Sequence, residues 1–208
     1  MASIIIGLLG KKQSGKDTVA ARLVAEHNFS RIAFADPLKE IVADLDPWVR
    51  IEADEAGLLY GPGSVPSHNG PEHARLTAIL KAVGWDTAKQ LREVRRLLQA
   101  QGVAVRDHLY RDAWVDAAEG AVEAVPGPVV ITDVRFLNEA DFIEANGELV
   151  RVVRPGLVSD DAHVSENELN HYRIPGDYTV VNDGTLADLD AKVDAVLANI
   201  KYDYPFLF

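Results

Sequence analysis

The sequence predicts an α/β fold in which a five-stranded parallel sheet is flanked by helices and carries a phosphate-binding loop. Three observations predict it. Five β-branched or apolar runs are each bounded by turn residues, and helical periodicity fills the spaces between them. The first run also passes directly into Gly10-Lys11-Lys12-Gln13-Ser14-Gly15-Lys16-Asp17-Thr18 and then into a helix pattern. Strands that alternate with helices imply parallel pairing, with both faces of the sheet covered.

The elements follow in order. Ser3–Leu9 is a strand, and Gly15–His27 is the helix after the loop. Ser30–Ala35 is the second strand; Asp36-Pro37 caps and starts the next helix, since aspartate accepts first-turn N–H bonds and proline fits the first helical position. Ala53–Pro71, rich in glycine and proline, reads as a loop that moves without ligand. Helices are expected over Ala74–Val83, Asp86–Gln101 and Ala113–Ala124, followed by the strand Pro128–Thr132 and a helix over Asn138–Asn146. Glu148–Val153 and Tyr178–Asn182 are the last strands, and Leu186–Ile200 is the last helix. Between those strands lies a second irregular stretch, Pro155–Pro175, holding His163, Ser165, Glu166 and His171; loops of this length in a compact domain often serve as covers. The tail Tyr202–Phe208 is aromatic enough to dock on the body or on a second copy in a homodimer.

With 208 residues, 48% of them hydrophobic, the chain can bury a full core as one compact domain. No apolar stretch approaches a membrane span and no charged-then-apolar leader opens the chain, so a cytoplasmic protein is expected. The absence of cysteine excludes disulfides, thiolate metal sites and cysteine nucleophiles. A net charge of −11 argues against a nucleic-acid binder. Basic residues nevertheless gather locally: Lys11, Lys12 and Lys16; Arg92, Arg95 and Arg96; Arg106 and Arg111; and Arg135, Arg151 and Arg154. Separated basic clusters on an acidic protein suit a small polyphosphate enclosed from several sides, although arginines on solvated helix faces give the same pattern.

The loop carries the most specific chemistry. Its glycines let successive backbone N–H groups face a phosphate, the new helix adds its positive dipole end, and Lys16 supplies an ammonium for the β- and γ-phosphates. Asp17 stands where the magnesium-binding hydroxyl usually sits, and Thr18 follows one residue later. That spacing resembles adenylate-kinase-like nucleoside monophosphate kinases.

The other candidates gather at strand ends. Asp133 should emerge at the carboxyl edge of the sheet, where ligands of open α/β sheets bind. It would hold magnesium through a water, with Arg135 on a transferred phosphoryl group; alternatively it caps the helix beginning near Asn138 and pairs with Arg135. Asp36 falls near the same rim, where a helix cap is already a sufficient task for it. Arg95 and Gln99 share one helix face and would grip a phosphate and a base; Arg92 and Arg96 form a second row that suits a solvated face. Asn182-Asp183-Gly184-Thr185-Leu186 is either a capped turn or the edge of an adenine site beside the loop. His163 and Glu166 order a closed cover or are merely solvated. The six histidines show no metal-binding helical pair, and no G-x-S-x-G elbow is present for a serine hydrolase.

Read in order, Gly10-x-x-x-Ser14-Gly15-Lys16-Asp17-Thr18-Val19-Ala20, Phe34-Ala35-Asp36-Pro37-Leu38-Lys39, Arg95-x-x-Leu98-Gln99, Thr132-Asp133-Val134-Arg135-Phe136-x-Asn138-Glu139-Ala140, His163-x-Ser165-Glu166 and Asn182-Asp183-Gly184-Thr185-Leu186 resemble the deoxynucleoside monophosphate kinases of tailed bacteriophages. The resemblance runs from the first strand to the last helix. It implies a P-loop NTPase fold of the nucleoside-monophosphate-kinase type. The core would be residues 1–52, 125–154 and 176–201, with a helical monophosphate-binding region over about 53–124 and a lid over about 155–175. It implies ATP and magnesium as cofactors and deoxynucleoside monophosphates as acceptors. Gly10 to Thr18, with Asn182, would hold the donor; Asp36, Lys39, Arg95, Gln99, Arg106 and Asp133 the acceptor. Asp17, Thr18 and Asp133 would serve magnesium, and Lys16, Arg135 and Arg154 the transferring phosphoryl. Gly102-Val103-Ala104 departs from the more polar Gly-Thr-Glu or Gly-Thr-Asp of the pattern. Two other readings stay open: a kinase of another phosphorylated metabolite, since Gly-x-x-x-Ser-Gly-Lys-Asp also resembles animal phosphomevalonate kinases, and a partner-coupled ATPase.

Overall fold

The computed structural model describes residues 4–61, 72–157, 169, 172–174 and 178–205. His163, Ser165, Glu166 and His171 lie outside them, as does most of the expected lid. The chain divides into two compact units, residues 1–34 with 115–208, and residues 35–114.

The first unit is built on the expected sheet. Its strands are β1 (Ile5–Leu9), β2 (Ser30–Ile32), β5 (Val129–Ile131), β6 (Gly147–Val153) and β7 (Thr179–Val181), in the order β2-β5-β1-β6-β7. Every pairing is parallel, with Ile5 opposite Val129 on one side and Gly147 on the other, and Leu9 opposite Arg151. Strand β1 shows why the sheet is buried on both faces. Alternate residues point opposite ways, so Ile4, Ile6 and Leu8 join a core with Val19, Leu23, Val193 and Leu197, while Ile5 and Leu9 join another with Val115, Ile143 and Leu149.

The first core is closed by α1 (Lys16–His27) and the last helix, α8 (Leu186–Asp203); the second by α6 (Ala113–Ala124) and α7 (Leu137–Asn146). Gly7 marks the closest approach of α7, because a Cβ there would meet two Ile143 side-chain atoms at 2.8 and 2.9 Å. Helix α8 starts in a capping box. Asp188 N donates to Thr185 Oγ1 at 3.2 Å while the Asp188 carboxylate accepts from Thr185 N at 2.8 Å. Asp194 on α8 holds α1, accepting from Arg22 Nη2 at 2.7 Å and lying 2.8 Å from His27 Nε2.

The second unit departs from the expected layout in four places. Trp48–Ile51 (β3) pairs antiparallel with Glu72–Arg75 (β4), so Ala74 belongs to a strand. Helix α4 therefore starts later, at Leu76, and runs to Ala88 across a break at Gly84, whose φ is 68°. Residues 53–60, expected as loop, form a 3-10 turn (Ala53–Glu55) and a short helix, α3 (Ala56–Tyr60). Bonds from Gln90 N to Thr87 O and from Leu91 N to Ala88 O then close a tight turn, so the helix expected from Asp86 begins at Arg92 and runs to His108 as α5. Helix α2 (Asp36–Leu45) has Ala35 at its N-cap, and Asp36 stands inside the first turn rather than capping it. These elements bury Val42, Val49, Ile51, Leu76, Leu91 and Val94 together.

Candidate active site

Each strand of the first unit delivers its following loop to the carboxyl edge of the sheet, and the most constrained of these follows β1. Gly10 and Gly15 have φ of 147° and 107°, and Gln13 adopts the left-handed conformation at 64°. Side chains are excluded at both glycines. A Cβ on Gly10 would lie 2.3 Å from Val152 O, and one on Gly15 would lie 2.6 Å from Asn182 Nδ2. The loop is thus pressed against β6 and the turn after β7, and only glycine at those two points allows it.

Several bonds hold the loop in shape. Ser14 N donates to Lys11 O at 3.1 Å, and Asn182 Nδ2 donates to Ser14 O at 3.0 Å. Lys16 Nζ folds over the loop and donates to Gly10 O at 2.5 Å and Lys11 O at 2.9 Å. Helix α1 begins without a side-chain cap. First-turn N–H groups have no partner within a helix, and their dipole favours an anion. Ser14 Oγ is buried and has no hydrogen-bond partner among the described residues, which leaves a donor for an incoming oxygen. Lys12 and Gln13 are exposed, as are Asp17 and Thr18 on the first turn of α1.

Beside the loop opens a cavity of about 380 Å³. Lys11, Lys16, Arg135, Arg151 and Arg154 line it, and no carboxylate does among the described residues. Arg135 comes from the segment after β5. That segment is pinned at its start, where Asp133 Oδ1 accepts from Phe34 N at 2.8 Å, and at its end, where Glu139 Oε2 accepts from Arg135 N at 2.7 Å and Phe136 N at 3.1 Å. The start of α7 is thus served by Glu139. Arg151, at the end of β6, donates to the carbonyls of Leu169 and Tyr172, and burial pushes its pKa below the ordinary guanidinium value.

The second unit holds the remaining candidates. Asp36 pairs with Lys39 at 2.7 Å across the first turn of α2. Arg95, Gln99 and Arg106 are half-buried on α5. Arg92 and Arg96 serve the helix itself. The buried carboxylate of Glu55 accepts from Arg92 N at 2.8 Å and Glu52 N at 3.0 Å, Asp54 pairs with the Arg92 guanidinium, and Arg96 makes two bonds to Glu93 at 2.8 and 2.7 Å. Gly102, where the sequence departs from the phage pattern, gives its carbonyl to Trp114 Nε1 at 3.2 Å, and a Cβ there would sit 3.3 Å from Leu38. Sequence reasoning missed Glu55, Glu139 and the ties of Arg151. For Glu139 a signal existed, since glutamate at the third helical position is the usual back-reaching half of a capping box.

A glycine-constrained loop between a central parallel strand and an uncapped helix, with its lysine folded over the loop beside a cationic cavity, has the geometry of the P-loop kinase fold. The relatives agree. A family model described as deoxynucleotide monophosphate kinase matches residues 66–193. A putative deoxynucleotide monophosphate kinase of Acanthamoeba polyphaga mimivirus is 32% identical over 199 residues, covering 94% of this chain and 97% of the viral one. The deoxynucleotide monophosphate kinase of Enterobacteria phage T4 is 26% identical over 240 residues, covering 93% of this chain and 98% of its own. Among solved structures, TT1252 from Thermus thermophilus is similar at 20% identity and a TM-score of 0.45, over 96% of this chain and 99% of that one. The chain belongs to the deoxynucleotide monophosphate kinase family, and it is a nucleotide phosphotransferase. No helix among the described residues is long and apolar enough to cross a membrane.

Proposed function

We propose that this chain transfers the γ-phosphoryl group of ATP to a deoxynucleoside 5′-monophosphate, giving ADP and a deoxynucleoside diphosphate. The observation that carries this reading is the cavity beside the loop, whose five cationic side chains, with no carboxylate among the described lining residues, suit a polyphosphate. A monophosphate oxygen is already a competent nucleophile, so the site needs no strong general base. Its work is alignment and neutralisation of charge.

Lys16 leaves the loop carbonyls for the β- and γ-phosphates, while the backbone of Gly10 to Thr18 and the Ser14 hydroxyl hold the phosphate oxygens. Arg135 and Arg154, which line the same cavity, serve the transferring group. Asp36, Lys39, Arg95, Gln99 and Arg106 serve the acceptor nucleotide, with Asp133 at the sheet edge. No group of three or more histidine or carboxylate residues among the described residues forms a cage for a metal. Magnesium in phosphoryl-transfer sites takes one or two protein ligands and completes its shell with phosphates and water, and Thr18, Asp17 and Asp133 supply such a sparse oxygen donor set. When bound there, the ion would neutralise charge on the donor phosphates.

The test is ADP release from magnesium-ATP by the purified chain, alone and with each of the four common deoxynucleoside monophosphates, with products separated chromatographically. Formation of a diphosphate, with little ADP release in its absence, is the expected result. Release indifferent to every acceptor would overturn the proposal.

A further inference from the structure

Arg135 reaches the cavity from a stretch with no regular structure, between Ile131 at the end of β5 and Leu137 at the start of α7. A long side chain on irregular backbone is ordinarily poorly aimed. The direction of its Cα–Cβ bond is fixed only if the peptide planes on both sides of the residue are fixed, because those planes determine φ and ψ.

Both planes are held here by one buried carboxylate oxygen. The N–H of Arg135 belongs to the plane before its Cα and the N–H of Phe136 to the plane after it. Both donate to Glu139 Oε2, at 2.7 and 3.1 Å. An ordinary capping box needs only the bond to Phe136, the N-cap residue. The bond to Arg135 N is the additional one, and it is the shorter. Glu139 is 2% exposed, so its burial is costly, and the N–H groups that it orders contribute to compensating it.

We infer that Glu139 is a positioning residue for phosphoryl transfer: it touches no substrate and acts by fixing the backbone from which Arg135 enters the cavity. The inference rests on the reading of Arg135 as a residue of the transferring phosphoryl. It implies a defect in turnover rather than in nucleotide binding, since a misaimed arginine forfeits interactions made in the transition state.

The experiment compares Glu139→Gln, Arg135→Ala and the double variant in kcat, in KM for ATP and acceptor, and in Tm. Glutamine keeps the shape and one acceptor oxygen but weakens the charge-assisted bonds, so the fold is retained. Glu139→Gln is expected to lower kcat by about tenfold, with both KM values within about twofold, as suits a slightly misplaced catalytic contact. In the Arg135→Ala background the same substitution should change kcat less than about twofold, while any drop in Tm is equal in both backgrounds. Equal loss of kcat in both backgrounds, or no loss in the single Glu139 variant, would show a merely structural residue and overturn the inference. Full turnover in Arg135→Ala would instead overturn the reading of Arg135 itself, and with it the role of Glu139.

Discussion

Asn182→Ala separates two roles for a residue that the sequence places at the edge of the nucleotide site. Among the described residues the side chain makes one bond, from Nδ2 to Ser14 O at 3.0 Å, and it is half-buried. The main-chain bond from Asn182 N to Val153 O at 2.7 Å does not involve the side chain, so the pairing of β7 with β6 survives the substitution. What is lost is one neutral hydrogen bond bracing the phosphate loop, worth about 1 kcal/mol within a range of about 0.5–1.5. If the loop must recover that order when ATP binds, affinity for ATP falls by about fivefold, and by no more than about tenfold. Titration calorimetry with magnesium-ATP reads this directly, and steady-state kinetics should show KM for the acceptor unchanged and kcat within about twofold. Asn182→Asp should bind ATP more weakly still, because a carboxylate cannot donate to Ser14 O and adds negative charge beside the donor phosphates. Unchanged ATP affinity in Asn182→Ala, or an equal rise in acceptor KM, would refute the brace.

Other outcomes follow from the same geometry. Lys16→Ala should lower kcat by on the order of a hundredfold or more in the coupled ADP assay, whereas Arg95→Ala should chiefly raise KM for the acceptor; the reverse pattern would exchange their roles. Gly7→Ala forces a Cβ against Ile143 at 2.8 Å and should cost about 1–3 kcal/mol, seen as a fall in Tm of several degrees. Asp194 should matter for acid stability. The bonds from Arg22 and His27 hold its pKa at about 2, against 3.8 when unperturbed. A carboxylate depressed on folding stabilises above its unfolded pKa and loses that contribution as pH falls from about 4 toward 2. The side chain is 36% exposed, so screening reduces the effect to about 1 kcal/mol. Asp194→Asn should therefore lose about that much in urea melts at pH 7, with the gap from the parent closing below pH 4; a gap independent of pH would contradict the linkage.

The continuous apolar run Ile4 to Leu9, the β-branched and apolar runs of the other four strands, glycines at 10 and 15 and a lysine at 16 are local facts, and they were enough to place the glycine-rich loop and all five parallel strands. The Trp48–Ile51 strand instead alternates with period two, with Val49 and Ile51 buried and Trp48 and Arg50 exposed. Its partner, Glu-His-Ala-Arg at 72–75, is polar and became a strand only through pairing, a non-local event that no propensity announces.

The site divides along the same line. Residue types and spacing in the sequence pointed to phosphate as the ligand, because a glycine-rich turn before a helix presents backbone N–H groups and a positive dipole end. Tertiary structure alone decided the contacts that the site's side chains make. Asn182 reaches the loop across 168 positions of chain, Asp133 receives Phe34 N across 99, and Arg151 enters the cavity wall because β6 lies beside β1. Contacts of that kind depend on strand order. Strand order is set by how both faces of the sheet are buried at once, a property of the whole core and of no single segment.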